Sequence, residues 1–193
     1  MTSRLAGLSD GVFAICVTLI VIGLKMPDAP DGRLITILLA TLPKLEVWAL
    51  SYLVIGSLWV LQHNIFARLK YADTALLWLN LLFLMCISLL PWTTDLAGVY
   101  VREPLAIVLF SGSLGLAGFL LLIAWIYAVG YGDLCSPEVD ADTSKAVITL
   151  TARIPLVAVI SIVLAYVHRS AALWVWLLVT LLGVLIRTKP KRV

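Results

Sequence analysis

Long apolar runs separated by short polar breaks are the dominant pattern of this chain. A membrane span needs about twenty mostly apolar residues, and such runs are predicted over residues 5–24, 46–66, 75–94, 104–131, 146–167 and 172–186. After the first run, KMPDAPDGR carries proline and glycine breakers. The apolar run 34–42 that follows, stopped by Pro43 and Lys44, is too short to cross and is expected to lie as a short helix at the interface. Pro104 suits the first turn of the fourth span. The most polar stretch, GDLCSPEVDADTSK, lacks the spacing of a calcium loop and is expected to be a solvated loop that caps the next helix. The predicted fold class is all-α: one domain over 1–193, a polytopic membrane protein with six transmembrane helices and a basic tail at 187–193.

Within the first helix, polar and apolar positions separate by face. Residues three, four and seven apart share a side of an α-helix, so Ile15, Leu19 and Ile22 form one stripe, with Leu8, Gly11 and Thr18 close to it. Asp10 is five residues before Ile15 and is rotated well away. Spacing alone leaves two readings of the stripe open. It faces lipid or a sister helix, or several copies meet around an axis and make an apolar constriction of the kind that gates a pore by dewetting. Arg4 and the Ser9-Asp10 pair stand at the mouth of the same helix, where ionisable groups are costly to dehydrate and point to function.

Composition narrows the class. Hydrophobic residues make up 62% of the chain and charged residues 13%, well under the roughly 25% charged content of soluble domains. Nothing is left over for a soluble domain beside the membrane part. With six spans and a cytoplasmic amino terminus, Arg4, Arg68, Lys70, Lys145, Arg187, Lys189, Lys191 and Arg192 fall on the cytoplasmic side, with Arg153 close to it. Lys25, Arg33, Lys44, Arg102 and Arg169 fall on the other side. This satisfies the positive-inside rule and predicts both termini in the cytoplasm, with the basic tail resting on anionic headgroups of the bilayer. The expected location is a prokaryotic cell membrane.

Candidate chemistry is sparse. Cys16, Cys86 and Cys135 are too scattered for a disulfide framework, and no metal-ligand spacing is present. A nucleophile, metal or paired-carboxylate constellation is not legible, so an enzyme is not expected, nor is a cofactor. The first helix runs into Lys25 and Met26 rather than a small-residue cleavage site, and is expected to stay in the mature protein. Ser111, Gly112, Gly115 and Gly118 in the fourth span supply small residues for close helix approach. Thr18 on its own reads as a hydroxyl bonded back to its helix. Asn80 reads as an interhelical hydrogen-bonding group, His63 as an interfacial one, and Arg153 as a side chain that snorkels to the interface from the first turns of the fifth span.

Arg4, LSDGVFAI at 8–15 and Thr18-Leu19, followed by Trp59, His63, Phe66, Asp73, Leu79-Asn80-Leu81, Pro91 and Tyr100, resemble the signature of the transmembrane protein 175 family. Its members are potassium-permeable channels. The resemblance implies a homotetramer of single six-helix units, with the four first helices lining a central pore. It places the pore constriction at Ile15, Leu19 and Ile22 and a selectivity layer at Thr18, where hydroxyl oxygens replace part of an ion's hydration. It also implies a network in which Arg4, Ser9 and Asp10 meet Trp59, His63 and Asn80. The expected function is a leak-type channel with moderate potassium-over-sodium selectivity and no bound metal beyond the permeant ion; a proton- or cation-coupled secondary transporter of the same topology is the alternative. Two positions depart from the signature: Leu8 stands for its phenylalanine and Gln62 for the first histidine of a pair.

Overall fold

The computed structural model describes residues 2–25, 33–100, 103–131 and 134–185. Helices account for almost all of them: α1 (Thr2–Leu19), continued by a 3-10 turn over Ile20–Gly23, α2 (Leu34–Phe66), α3 (Thr74–Val99), α4 (Pro104–Gly130), α5 (Ala141–Val167), α6 (Arg169–Trp174) and α7 (Trp176–Leu185). Five helices, α1 with its 3-10 turn and α2 to α5, are long and apolar enough to cross a membrane. The all-α membrane architecture read from hydropathy is therefore the observed one, with three departures in detail.

The first concerns residues 34–42, expected to form a separate short helix ended by Pro43. They are instead the opening turns of the continuous 33-residue α2. Proline removes one N–H and crowds the carbonyl four residues back, but its fixed φ is helical, and spans tolerate the freed carbonyl. The second is α5, which begins at Ala141 rather than near 146, because the Asp140 carboxylate accepts the Thr143 amide at 2.8 Å and caps the helix there. The third is the last predicted span, which is helical but broken at Val175 into α6 and α7. The Ala172 carbonyl, just before this break, receives the Ser161 hydroxyl. Residue 186 and the basic tail 187–193 lie outside the described residues.

α4 is the central helix, packed along α3 on one side and α5 on the other. Its close approach to α5 uses the small residues singled out from the sequence: a Cβ added at Gly115 would lie 2.5 Å from that of Ala158, and one at Gly118 would overlap Ile154. Polar groups in this interior satisfy one another. Ser161 Oγ donates to the Ala172 carbonyl at 2.6 Å, so the 2.7 Å contact between Ser111 and Ser161 must be donated by Ser111. Ser111 Oγ in turn accepts Trp176 Nε1 at 3.1 Å. The result is a directed chain pinning α4, α5, α6 and α7, with no hydroxyl left wanting in a medium where water cannot help.

Candidate pore helix and its anchoring network

α1 has one face committed to its own subunit. Leu5, Ser9, Phe13, Cys16 and Ile20 are buried, at steps of three and four that make a single stripe. The stripe packs on α3, with the Phe13 and Phe83 rings 5.9 Å apart. A second tie has a backbone origin. Pro91 lies inside α3 and has no N–H, which leaves the carbonyl of Ile87, four residues before it, without its helical donor. The Cys16 thiol donates to that carbonyl at 3.3 Å. Sequence reading had treated Cys16 only as a scattered apolar cysteine; the proline was the available signal.

Four of the polar residues singled out from the sequence form two separate pairs, one on each flank of α1. Toward α3, Asn80 Nδ2 donates to Ser9 Oγ at 3.3 Å while Ser9 donates to the Leu5 carbonyl at 3.0 Å. Both side chains are buried, and Asn80 Oδ1 is left without a partner. Toward α2, Trp59 Nε1 donates to Asp10 Oδ1 at 2.8 Å, and the His63 ring lies 5.7 Å from that of Trp59. Among the described residues His63 touches this network only through the ring contact. Arg4 is exposed and meets none of the others within the chain. Asp10 is exposed, at the edge of a groove of about 490 Å³ between α1 and α2.

The opposite face of α1 is covered by no other helix among the described residues. Ile15 is 60% exposed, Leu19 43% and Ile22 65%, and Leu8, Gly11 and Thr18 are exposed beside them. The Thr18 hydroxyl donates to the carbonyls of Ile15 at 2.8 Å and Ala14 at 3.1 Å. Its proton is thus spent on the helix, and the oxygen's lone pairs are what it presents outward, an acceptor suited to a cation.

One further residue of the signature has a structural role. Asp73 caps α3, accepting the Leu76 amide at 2.9 Å, and its other oxygen accepts the Tyr127 hydroxyl from the end of α4. The Tyr127 hydrogen bond, then that from Leu76, holds the Asp73 carboxyl below the usual carboxylate range. This latch joins α3 to α4 at the end of the bundle where α1 begins, beside the bridge of Leu69 to Cys135.

The comparisons with known proteins bear on this half of the chain most. The family model described as "Endosomal/lysosomal potassium channel TMEM175" matches residues 4–91, a range that holds every residue of the two polar pairs and the uncovered stripe. A Streptomyces collinus protein described as a potassium channel is 35% identical over 150 residues, covering 75% of this chain and 73% of its own. The chain belongs to the TMEM175 family. A second relative, a Chamaesiphon minutus protein described as a potassium channel, is 34% identical over 129 residues, covering 65% of this chain and 62% of its own. The crystal structure of a lysosomal potassium-selective channel TMEM175 homolog from the same organism superposes with a TM-score of 0.85 at 24% identity, over 95% of this chain and 96% of that one. That likeness fixes the fold of this TMEM175 member. The family is one of ion channels and not of enzymes.

Proposed function

We propose that this chain is the subunit of a potassium-permeable leak-type channel, in which four copies place their α1 helices around a central pore. The observation that carries the reading is the stripe of Ile15, Leu19 and Ile22, with Thr18 at its side, which no other helix among the described residues covers. An uncovered apolar stripe is no anomaly in lipid, where apolar surface faces apolar surface at no cost. Its conjunction with the anchored opposite face, in a protein of this family, favours an axis of copies over a lipid-facing side.

In this reading the Ile15 ring is the narrowest point and resists wetting, so water and ions enter it only when it widens. Leu19 and Ile22 extend the apolar segment. The Thr18 oxygens offer four acceptors beside it, which favour weakly hydrated cations and give moderate preference for potassium over sodium, with larger cations such as caesium also passing. The Ser9–Asn80 and Asp10–Trp59 pairs set the rotation of α1 so that the stripe points inward. Arg4, exposed and without a partner among the described residues, reaches a neighbouring copy. The home membrane is a prokaryotic cell membrane, with both termini on the cytoplasmic side where the basic residues accumulate.

Flux from liposomes tests the reading. Purified protein in potassium-loaded vesicles should release potassium faster than the same vesicles release sodium, and protein-free vesicles should release neither. Equal silence with intact tetramers in both salts would oppose a leak channel.

A further inference from the structure

Arg153 has no role in the pore or its anchoring, and its surroundings are unusual for a membrane arginine. Because α5 starts at Ala141, Arg153 lies twelve residues into it, about 18 Å along the axis. It is not in the first turns of the helix, as the sequence reading placed it. Its Nε and Nη1 are buried and have no hydrogen-bond partner. A guanidinium inside a span is costly unless paired.

Arg153 lines a cleft of about 540 Å³ between α2, α5 and α7. The α2 wall of this cleft runs from Tyr52 to Ile65, about 20 Å of helix, with Arg68 just beyond the helix end, against roughly 15 Å for one leaflet of hydrocarbon. One end is cationic: Arg68 stands there, held by Nη1 to the Asn64 carbonyl. The other end, around Leu53 and Gly56, is apolar, and among the described residues no Asp or Glu lines any of it. The Thr180 hydroxyl, also buried and unpartnered, faces the same space. Among the described residues no side chain supplies an anion to this space, and the cleft is open to one from outside.

We propose that this cleft binds an anionic phospholipid, its headgroup phosphate taken by Arg153 and Arg68 and one acyl chain laid along α2 toward Tyr52. Guanidinium groups suit phosphate because their planar donors engage two oxygens at once. The apolar extension is what commits the site to a lipid rather than to free phosphate, which would use the cationic end alone. The lipid would couple α2 to α5 and α7 along the stretch of α2 that carries Trp59, the donor to Asp10.

The test uses the full chain in detergent, titrated separately with phosphatidylglycerol, phosphatidylcholine and inorganic phosphate, and read by native mass spectrometry and thermal unfolding. Phosphatidylglycerol should be retained and should raise the melting temperature, with the other two having little effect. Arg153→Gln should weaken phosphatidylglycerol retention about tenfold, the size expected for losing a charge-assisted hydrogen bond. Should that variant fold poorly, Leu53→Trp leaves both arginines and fills the apolar end, and it should also reduce retention. Stabilisation by inorganic phosphate equal to that by the lipid would overturn the lipid assignment. So would retention unchanged in both variants, or a loss of assembly in Arg153→Gln with no lipid dependence in the wild type, which would give the guanidinium a protein partner in a second copy.

Discussion

Asp10 and Asp73 show how differently two carboxylates of one signature are used. Asp10 is exposed and has one donor, Trp59 Nε1, so the bond is worth only about 1 kcal/mol to the isolated subunit. Its larger effect is expected at assembly, where the flank of α1 is covered by a neighbour. Asp10→Ala should lower the tetramer fraction seen by size exclusion while surviving tetramers keep their ion preference. Trp59→Phe should do the same, and the double variant should be no worse than either single one. Normal assembly with altered conductance would place Asp10 in the pore instead.

Asp73 stabilises the folded chain directly. Its folded-state pKa is depressed by Tyr127 and Leu76, so its contribution is full above the unfolded carboxylate value of about 4 and is lost as pH falls below that toward the folded value. Thermal unfolding should therefore show a loss of stability on acidification through this window that is smaller in Asp73→Asn and in Tyr127→Phe. Asp73→Ala, which also removes the α3 cap, should cost about 1–2 kcal/mol at neutral pH.

Among the helices, the α1–α3 contact is the one whose chemistry is most local. If Cys16 is there because Pro91 orphans the Ile87 carbonyl, restoring the missing N–H should make the thiol dispensable. Cys16→Ala should destabilise the wild type by about 1 kcal/mol and do so less in a Pro91→Ala background; equal costs in both would disconnect the two residues. At the α4–α5 crossing, Gly118→Val should cost more than either, since Ile154 occupies the space its side chain needs and overpacking costs about 1–3 kcal/mol.

The same elements show what sequence could and could not supply. The apolar runs and the glycine face of α4 were legible because each is a local pattern. The start of α5 was placed late because the polar run through Lys145 was counted as loop, although a capped helix can project beyond the apolar layer; the misplacement of Arg153 followed from it. Pro43 was read as a stop, but α2 continues through it. The Ser111–Ser161–Trp176 chain was invisible because its members are 50 and 65 residues apart. In the site, the faces of α1 followed from periodicity. The division of the polar groups into two pairs did not, since that depends on where α2 and α3 stand.

For the whole molecule, the account requires that a 21.1 kDa subunit be incomplete on its own. One face of α1 is tied down by Ser9, Phe13 and Cys16, and the other offers Ile15 to whatever lies beyond the subunit. Native mass spectrometry should find four copies, and a dimer or monomer that still conducts would remove the axis. The most direct test of the central claim is the reversal potential of the reconstituted channel with potassium on one side and sodium on the other, for wild type and Ile15→Asn. The wild type should reverse well away from zero in the direction of potassium preference, and Ile15→Asn, with its constriction wetted, should carry more current and reverse closer to zero. Identical potentials and currents in the two would mean that Ile15 does not line the path of the ion.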